Sequence, residues 1–120
     1  MSFLRRVIRG TRPASGADVD RLVVRQLLGR GADLTQPRHV IHFIYFAEES
    51  DARAAADAID SAGYETTVDA PGDEIAEWTV RAEAYRVVGL ATVDGFRAWF
   101  EQMSAEYNGE YDGWEAAAKP

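Results

Sequence analysis

The run His39-Val40-Ile41-His42-Phe43-Ile44-Tyr45-Phe46 limits this chain more than any other stretch. β-branched and aromatic residues dominate it, and it offers no continuous polar face to water. That pattern predicts a strand covered on both sides or nearly so, the natural centre of a sheet. Such a strand needs partners on its edges and helices against it, and the rest of the sequence supplies both.

Ahead of it, Val19, Leu22, Val23, Gln26 and Leu27 fall at helical spacing, with Asp18 placed to cap and Gly29 and Gly31 placed to stop, so a helix is expected over 18–29. Residues 31–37 read as a connection. Behind the strand, Glu48, Glu49 and Asp51 suit the positive end of a helix, and Ala52, Ala55, Ala56, Ile59 and Ala62 form one stripe. An alanine stripe lacks bulk, so that helix must lie close to its sheet.

Tyr64, Thr66 and Val68 then alternate with Glu65, Thr67 and Asp69, the period of a strand with one wet face. Pro71, Gly72 and Asp73 turn the chain. A third strand, expected from Glu77 to Val88, pairs back antiparallel, with Arg81, Glu83 and Tyr85 as its outward row. Thr92 is expected to cap a last helix whose face is Phe96, Trp99, Phe100, Met103 and Tyr107, closed by a left-handed turn at Asn108 and Gly109.

These elements predict an α+β fold: a ferredoxin-like βαββα sandwich with a three-stranded sheet in the order 1-3-2, preceded by an extra N-terminal helix. One sheet face is left open unless that first helix folds across it. The domain is expected over 16–116, with a basic leader at 1–15, flexible or loosely docked, and a tail at 117–120.

Charge is distributed unevenly along the chain. Residues 1–30 hold seven arginines and two acids, a balance of +5, while residues 31–120 hold six cationic and eighteen acidic side chains, a balance of −12. An acidic body repels phosphate backbones, which argues against direct nucleic-acid binding and for a basic protein partner, although acids also serve solubility alone. The absence of cysteine excludes disulfides and thiolate metal sites, and no apolar run approaches the ~20 residues of a membrane span, so a cytoplasmic protein is expected.

Three stretches carry a family resemblance: QLLGRGADLTQPR at Gln26–Arg38, HFIYF at His42–Phe46 before an acidic, alanine-rich helix, and YNGEYDGWE at Tyr107–Glu115. Together they resemble the RraB-type regulators of ribonuclease E activity. The resemblance implies a ferredoxin-like sandwich that binds the endoribonuclease, depresses RNA cleavage and performs no chemistry, with no cofactor. The arginine-rich leader is not part of that family pattern.

The residues themselves offer little to an enzyme. His39 and His42, three apart on a strand, point to opposite faces and cannot share a metal. His42 alone suits a haem ligand on an open face or a base beside Glu83, but a hydrogen-bonded core histidine is the plainer reading. No phosphate loop or catalytic triad order is present. The candidate partner-binding residues are two acidic groups, Glu48, Glu49 and Asp51 at the helix start and Glu110, Asp112 and Glu115 in the tail. Tyr111 and Trp114 either anchor an interface or staple the chain end, with the staple preferred for Trp114, and Arg38 is expected to clamp the loop at Asp33.

The leading expectation is therefore an acidic, non-catalytic regulator docked on a ribonuclease E-type enzyme. Two alternatives stand beside it: a dimeric α/β-barrel protein holding a small molecule or haem between open sheets, and an interaction module with an unrelated partner.

Overall fold

The computed structural model describes residues 16–117. The leader expected at 1–15 lies outside them, as does the tail beyond residue 117. Three helices and four strands follow in the order α1 (Gly16–Gly29), β1 (Arg38–Phe46), α2 (Glu49–Ser61), β2 (Glu65–Asp69), β3 (Trp78–Arg86), α3 (Leu90–Glu106) and β4 (Gly109–Ala116).

The expected three-stranded sheet is corrected to four. Its order is β2-β3-β1-β4, every neighbouring pair antiparallel, with β1 inside as its composition requires. The added strand comes from the segment read as a tail, which pairs with the edge of β1 that three strands would have left bare. Unpaired backbone donors and acceptors on so apolar a strand would be costly to bury, and β4 satisfies them.

Two helix starts also differ from expectation. α1 begins at Gly16, so Asp18 stands in its first turn and is not its cap. The last helix begins at Leu90 after an extended Gly89, so Thr92 lies inside it. The expected left-handed turn is found at Asn108, with φ 61°.

Even-numbered residues of β1 face the helices. Val40, Ile44 and Phe46 join Val80 and Ala82 of β3, Ala52, Ala55, Ala56 and Ile59 of α2, Val93, Phe96 and Phe100 of α3, Val24 and Leu27 of α1, and Trp114 of β4 in one core. Each fully buried Ile, Val or Phe of this set contributes roughly 1.5–3 kcal/mol by leaving water. α1 packs against α3 on this same side, and the opposite face of the sheet carries no helix among the described residues.

Candidate protein-docking face

The helix-free face is built by simple alternation. Opposite the core-facing residues of β1 stand His39, Ile41, Phe43 and Tyr45, and the pairing register sets Arg81, Glu83 and Tyr85 of β3, Glu65, Thr67 and Asp69 of β2, and Glu110 and Glu115 of β4 on the same side. Five carboxylates thus share this face with one arginine and one histidine. Glu65 lies directly across from Glu83, a like-charge pair that disfavours itself in isolation.

Two contacts partly organise the charge. Arg81 Nε donates to Asp69 Oδ2 at 2.9 Å, and His39 Nε2 lies 2.9 Å from Glu83 Oε1. The face is not flat, because the β2–β3 connection rises beside it. Between them lies a hollow of about 390 Å³ lined by Phe43, Tyr45, Ala70, Ile75, Thr79 and Arg81 together with carboxylates. The hollow is mixed in character: Phe43, Tyr45, Ala70 and Ile75 give it apolar wall, and Asp69 and Glu74 bring carboxylates to it.

What fixes the face is a β-bulge in the edge strand. Ile44 pairs with Tyr111 and Phe43 with Gly113, so Asp112 is the extra residue of the bulge, skipped by the backbone register. Gly113 takes φ 112°, a conformation that side chains with a Cβ rarely adopt. The bulge breaks the period of two, which lets Tyr111 and Trp114, three residues apart, both turn to the helix side. Asp112 is left on the other side, where it accepts a 3.0 Å bond from Tyr45 Oη.

Behind the bulge lies a polar cluster that ties the layers together. Asp20 of α1 is almost wholly buried and receives Nε and Nη2 of Arg97 from α3 and Nε1 of Trp114 from β4, the last at 2.8 Å. Burial works against the Arg97 charge, but the bonded Asp20 carboxylate outweighs it and raises the guanidinium above its ordinary pKa. Arg97 also lies over the ring of Tyr111, 5.0 Å from its centroid.

Tyr111 Oη in turn sits 2.7 Å from His42 Nδ1. Burial first, and then the charges of Arg86 and Arg97, lower the His42 pKa from 6.5 to about 3, so the ring is neutral. Burial likewise drives the Tyr111 phenol upward, and it stays protonated. His42 Nε2 has no hydrogen-bond partner. Aromatic rings surround the imidazole: Phe100 is stacked at 4.0 Å, while Phe96 at 4.7 Å and Tyr64 at 5.8 Å stand edge to face.

This arrangement corrects several expectations. His42 is sealed on the helix side, so it is not a ligand on the open face, and the histidine bonded to Glu83 is His39. Of the two acidic groups, Glu48 and Glu49 are exposed where β1 gives way to α2, with Glu49 holding Arg53 at 2.8 Å, and Asp51 is half-buried. Glu110 is exposed on the open face across from Tyr45, and Glu115 is half-buried across from Ile41. Asp112 belongs with them in sequence but is only 4% exposed, so its carboxylate supports the bulge and presents little surface. The group at 48–51 therefore lies near one end of the sheet, and only Glu110 and Glu115 belong to the open face.

Trp114 is the expected staple, fully buried on its Asp20 bond. Arg38 is the expected clamp: it is buried and donates to the carbonyls of Asp33 and Ala117, closing both ends of the domain around β1. The Asp33 side chain caps its own turn, accepting from Thr35 N at 3.0 Å and Thr35 Oγ1 at 2.7 Å, and these bonds lower its pKa. The stretches at Gln26–Arg38 and Tyr107–Glu115 are thus structural devices, a turn-and-clamp at one end of β1 and a bulged strand along its edge.

The sequence model of the family described as "Regulator of ribonuclease activity B" matches residues 17–116, nearly all of the described chain. The chain belongs to this family. Among curated proteins no significant match is found. For this regulator of ribonuclease activity B family member, the match begins inside α1 and ends with β4, so it takes in both partners of the Asp20–Trp114 bond.

Sequence reasoning missed the Asp20–Arg97 pair, though a signal was present. Asp20, Val24 and Leu27 share one helical stripe, and Arg97 stands between Phe96 and Phe100. Opposite charges set into two apolar stripes are the mark of a buried pair. Among the described residues no group of three or more His, Asp or Glu side chains is placed to hold a metal ion, and no helix is long and apolar enough to cross a membrane.

Proposed function

We propose that this protein restrains RNA cleavage without chemistry of its own, by laying its open sheet face on a cationic segment of a ribonuclease E-type endonuclease. The observation that carries the reading is the face itself: five carboxylates on one side of the sheet, with Glu65 set against Glu83 and Asp69 lining a hollow beside Phe43 and Tyr45. Arginine or lysine side chains relieve that repulsion, and one apolar side chain of the same segment fills the hollow. A family of regulators of ribonuclease activity supplies the class of partner. Glu48, Glu49 and Asp51, near the end of β1, extend the negative field and steer approach without forming the contact.

The test is binding of the purified chain to the host's ribonuclease E-type enzyme at rising salt. Affinity that falls steeply with salt, together with slower RNA cleavage in the complex, is expected. No binding at low salt removes the nuclease as the partner.

A further inference from the structure

The chain carries its own cationic segment of matching chemistry. Residues 1–15 hold Arg5, Arg6, Arg9 and Arg12 and no acid, interleaved with Phe3, Leu4, Val7 and Ile8. The helix-free face offers the complement of both features, carboxylates and a hollow with Phe43, Tyr45, Ala70 and Ile75 in its lining.

Reach is sufficient. α1 runs beside the edge strand: Asp20, one turn into the helix, bonds Trp114, and Val23, Leu27 and Arg30 line a hollow with Trp114, Glu115 and Ala116. The helix that follows residues 1–15 therefore lies at the β4 edge. Fifteen residues extend to about 50 Å. Crossing four strands takes about 15 Å, which leaves ample chain to round the edge.

We infer that residues 1–15 dock on the open sheet face of their own chain, with arginines on the carboxylates of β2 and β3 and one apolar side chain in the hollow lined by Phe43 and Tyr45. The leader then occupies the site that a cationic partner needs. Tethering holds it at an effective concentration in the millimolar range, so a partner binds only by displacing it. This regulation rests on the open face being the docking surface proposed above, but its first test contains no nuclease.

Because the sequence has no cysteine, Ser2→Cys gives a single site for a nitroxide label on the full chain. At low salt the amide signals of Ile41, Thr67, Arg81 and Glu83 should lose most of their intensity, and recover at 1 M salt, where screening shortens to about 3 Å. They should also recover when Arg5, Arg6, Arg9 and Arg12 are all changed to Gln in the labelled chain. Loss of signal on the helix side, no loss anywhere, or loss that appears only when labelled chain is mixed with unlabelled ¹⁵N chain overturns the proposal. As a second readout, the four-Gln variant should bind the nuclease several-fold more tightly than the parent; equal or weaker binding shows that the leader does not compete. Docking of the label without any nuclease binding leaves the intramolecular contact standing and removes the proposed partner.

Discussion

Trp114 Nε1 donates a 2.8 Å hydrogen bond to Oδ1 of Asp20, joining the first helix to the last strand across 94 residues of sequence. The same carboxylate accepts from Arg97, so one acid holds α1, α3 and β4 in register. Removing Asp20 leaves the largely buried Arg97 with only the 3.4 Å contact to the exposed Glu101, and removing Arg97 leaves the Asp20 carboxylate buried with Trp114 alone.

Asp20→Ala should cost about 3 kcal/mol of stability, read by urea or thermal unfolding, because Arg97 is left largely buried with only Glu101, at 3.4 Å, to balance it. Changing Asp20 and Arg97 together to Leu should recover most of that loss, falling short by the roughly 1–3 kcal/mol of an unpaired Trp114 N–H. A cost below about 1 kcal/mol for Asp20→Ala alone would show that this cluster does not hold α1 in place.

His42 gives the protein an acid sensitivity of definite sign. Its folded pKa, about 3, lies below the unfolded 6.5, so between these values the unfolded chain takes up a proton that the native state refuses. The contribution is complete above pH 6.5 and is lost as pH falls toward 3, at a slope approaching ~1.4 kcal/mol per pH unit. His42→Phe should flatten this part of the stability profile. An unchanged slope would place the acid sensitivity in the carboxylates instead.

Gly109 starts β4 directly against the ring of Phe46, and a Cβ there would stand 2.7 Å from Phe46 Cδ2. Gly109→Ala should destabilise by about 1–3 kcal/mol through overpacking. Pairing it with Phe46→Leu should cost less than the sum of the two single changes, since the smaller side chain opens the space. Additive costs in the double-mutant cycle would show that the ring is not the obstacle.

Charge reversal separates the two acidic groups. Glu65→Lys and Glu110→Lys on the open face should each weaken nuclease binding roughly 2–5-fold at low salt, mainly through the association rate. Glu48→Lys with Glu49→Lys should change the rate less and leave dissociation untouched. Equal losses from both pairs in surface plasmon resonance would mean that docking is not confined to the open face.

Much of this molecule was written in local pattern. The β1 run announced an interior strand, the alanine stripe announced a closely packed α2, and alternation over 64–69 placed one wet and one dry face on β2. Such features depend on residues within a few positions of one another, where periodicity maps directly onto a buried or exposed side. The acidic balance and the family resemblance were equally legible, because neither needs a contact.

Tertiary structure alone decided the rest. Glu110–Glu115 reads as a tail because Asp112–Gly113 signals a turn and breaks the period of two; only pairing with β1 reveals a bulge that sends Tyr111 and Trp114 to one side. Asp20 and Arg97 each stand in an apolar helical stripe, but which charge meets which is decided only when α1 and α3 come together, and Asp112 looks like a surface acid until Tyr45 reaches it. Whether a charge is buried depends on what the chain brings to it from far away, and no sequence window contains that neighbour.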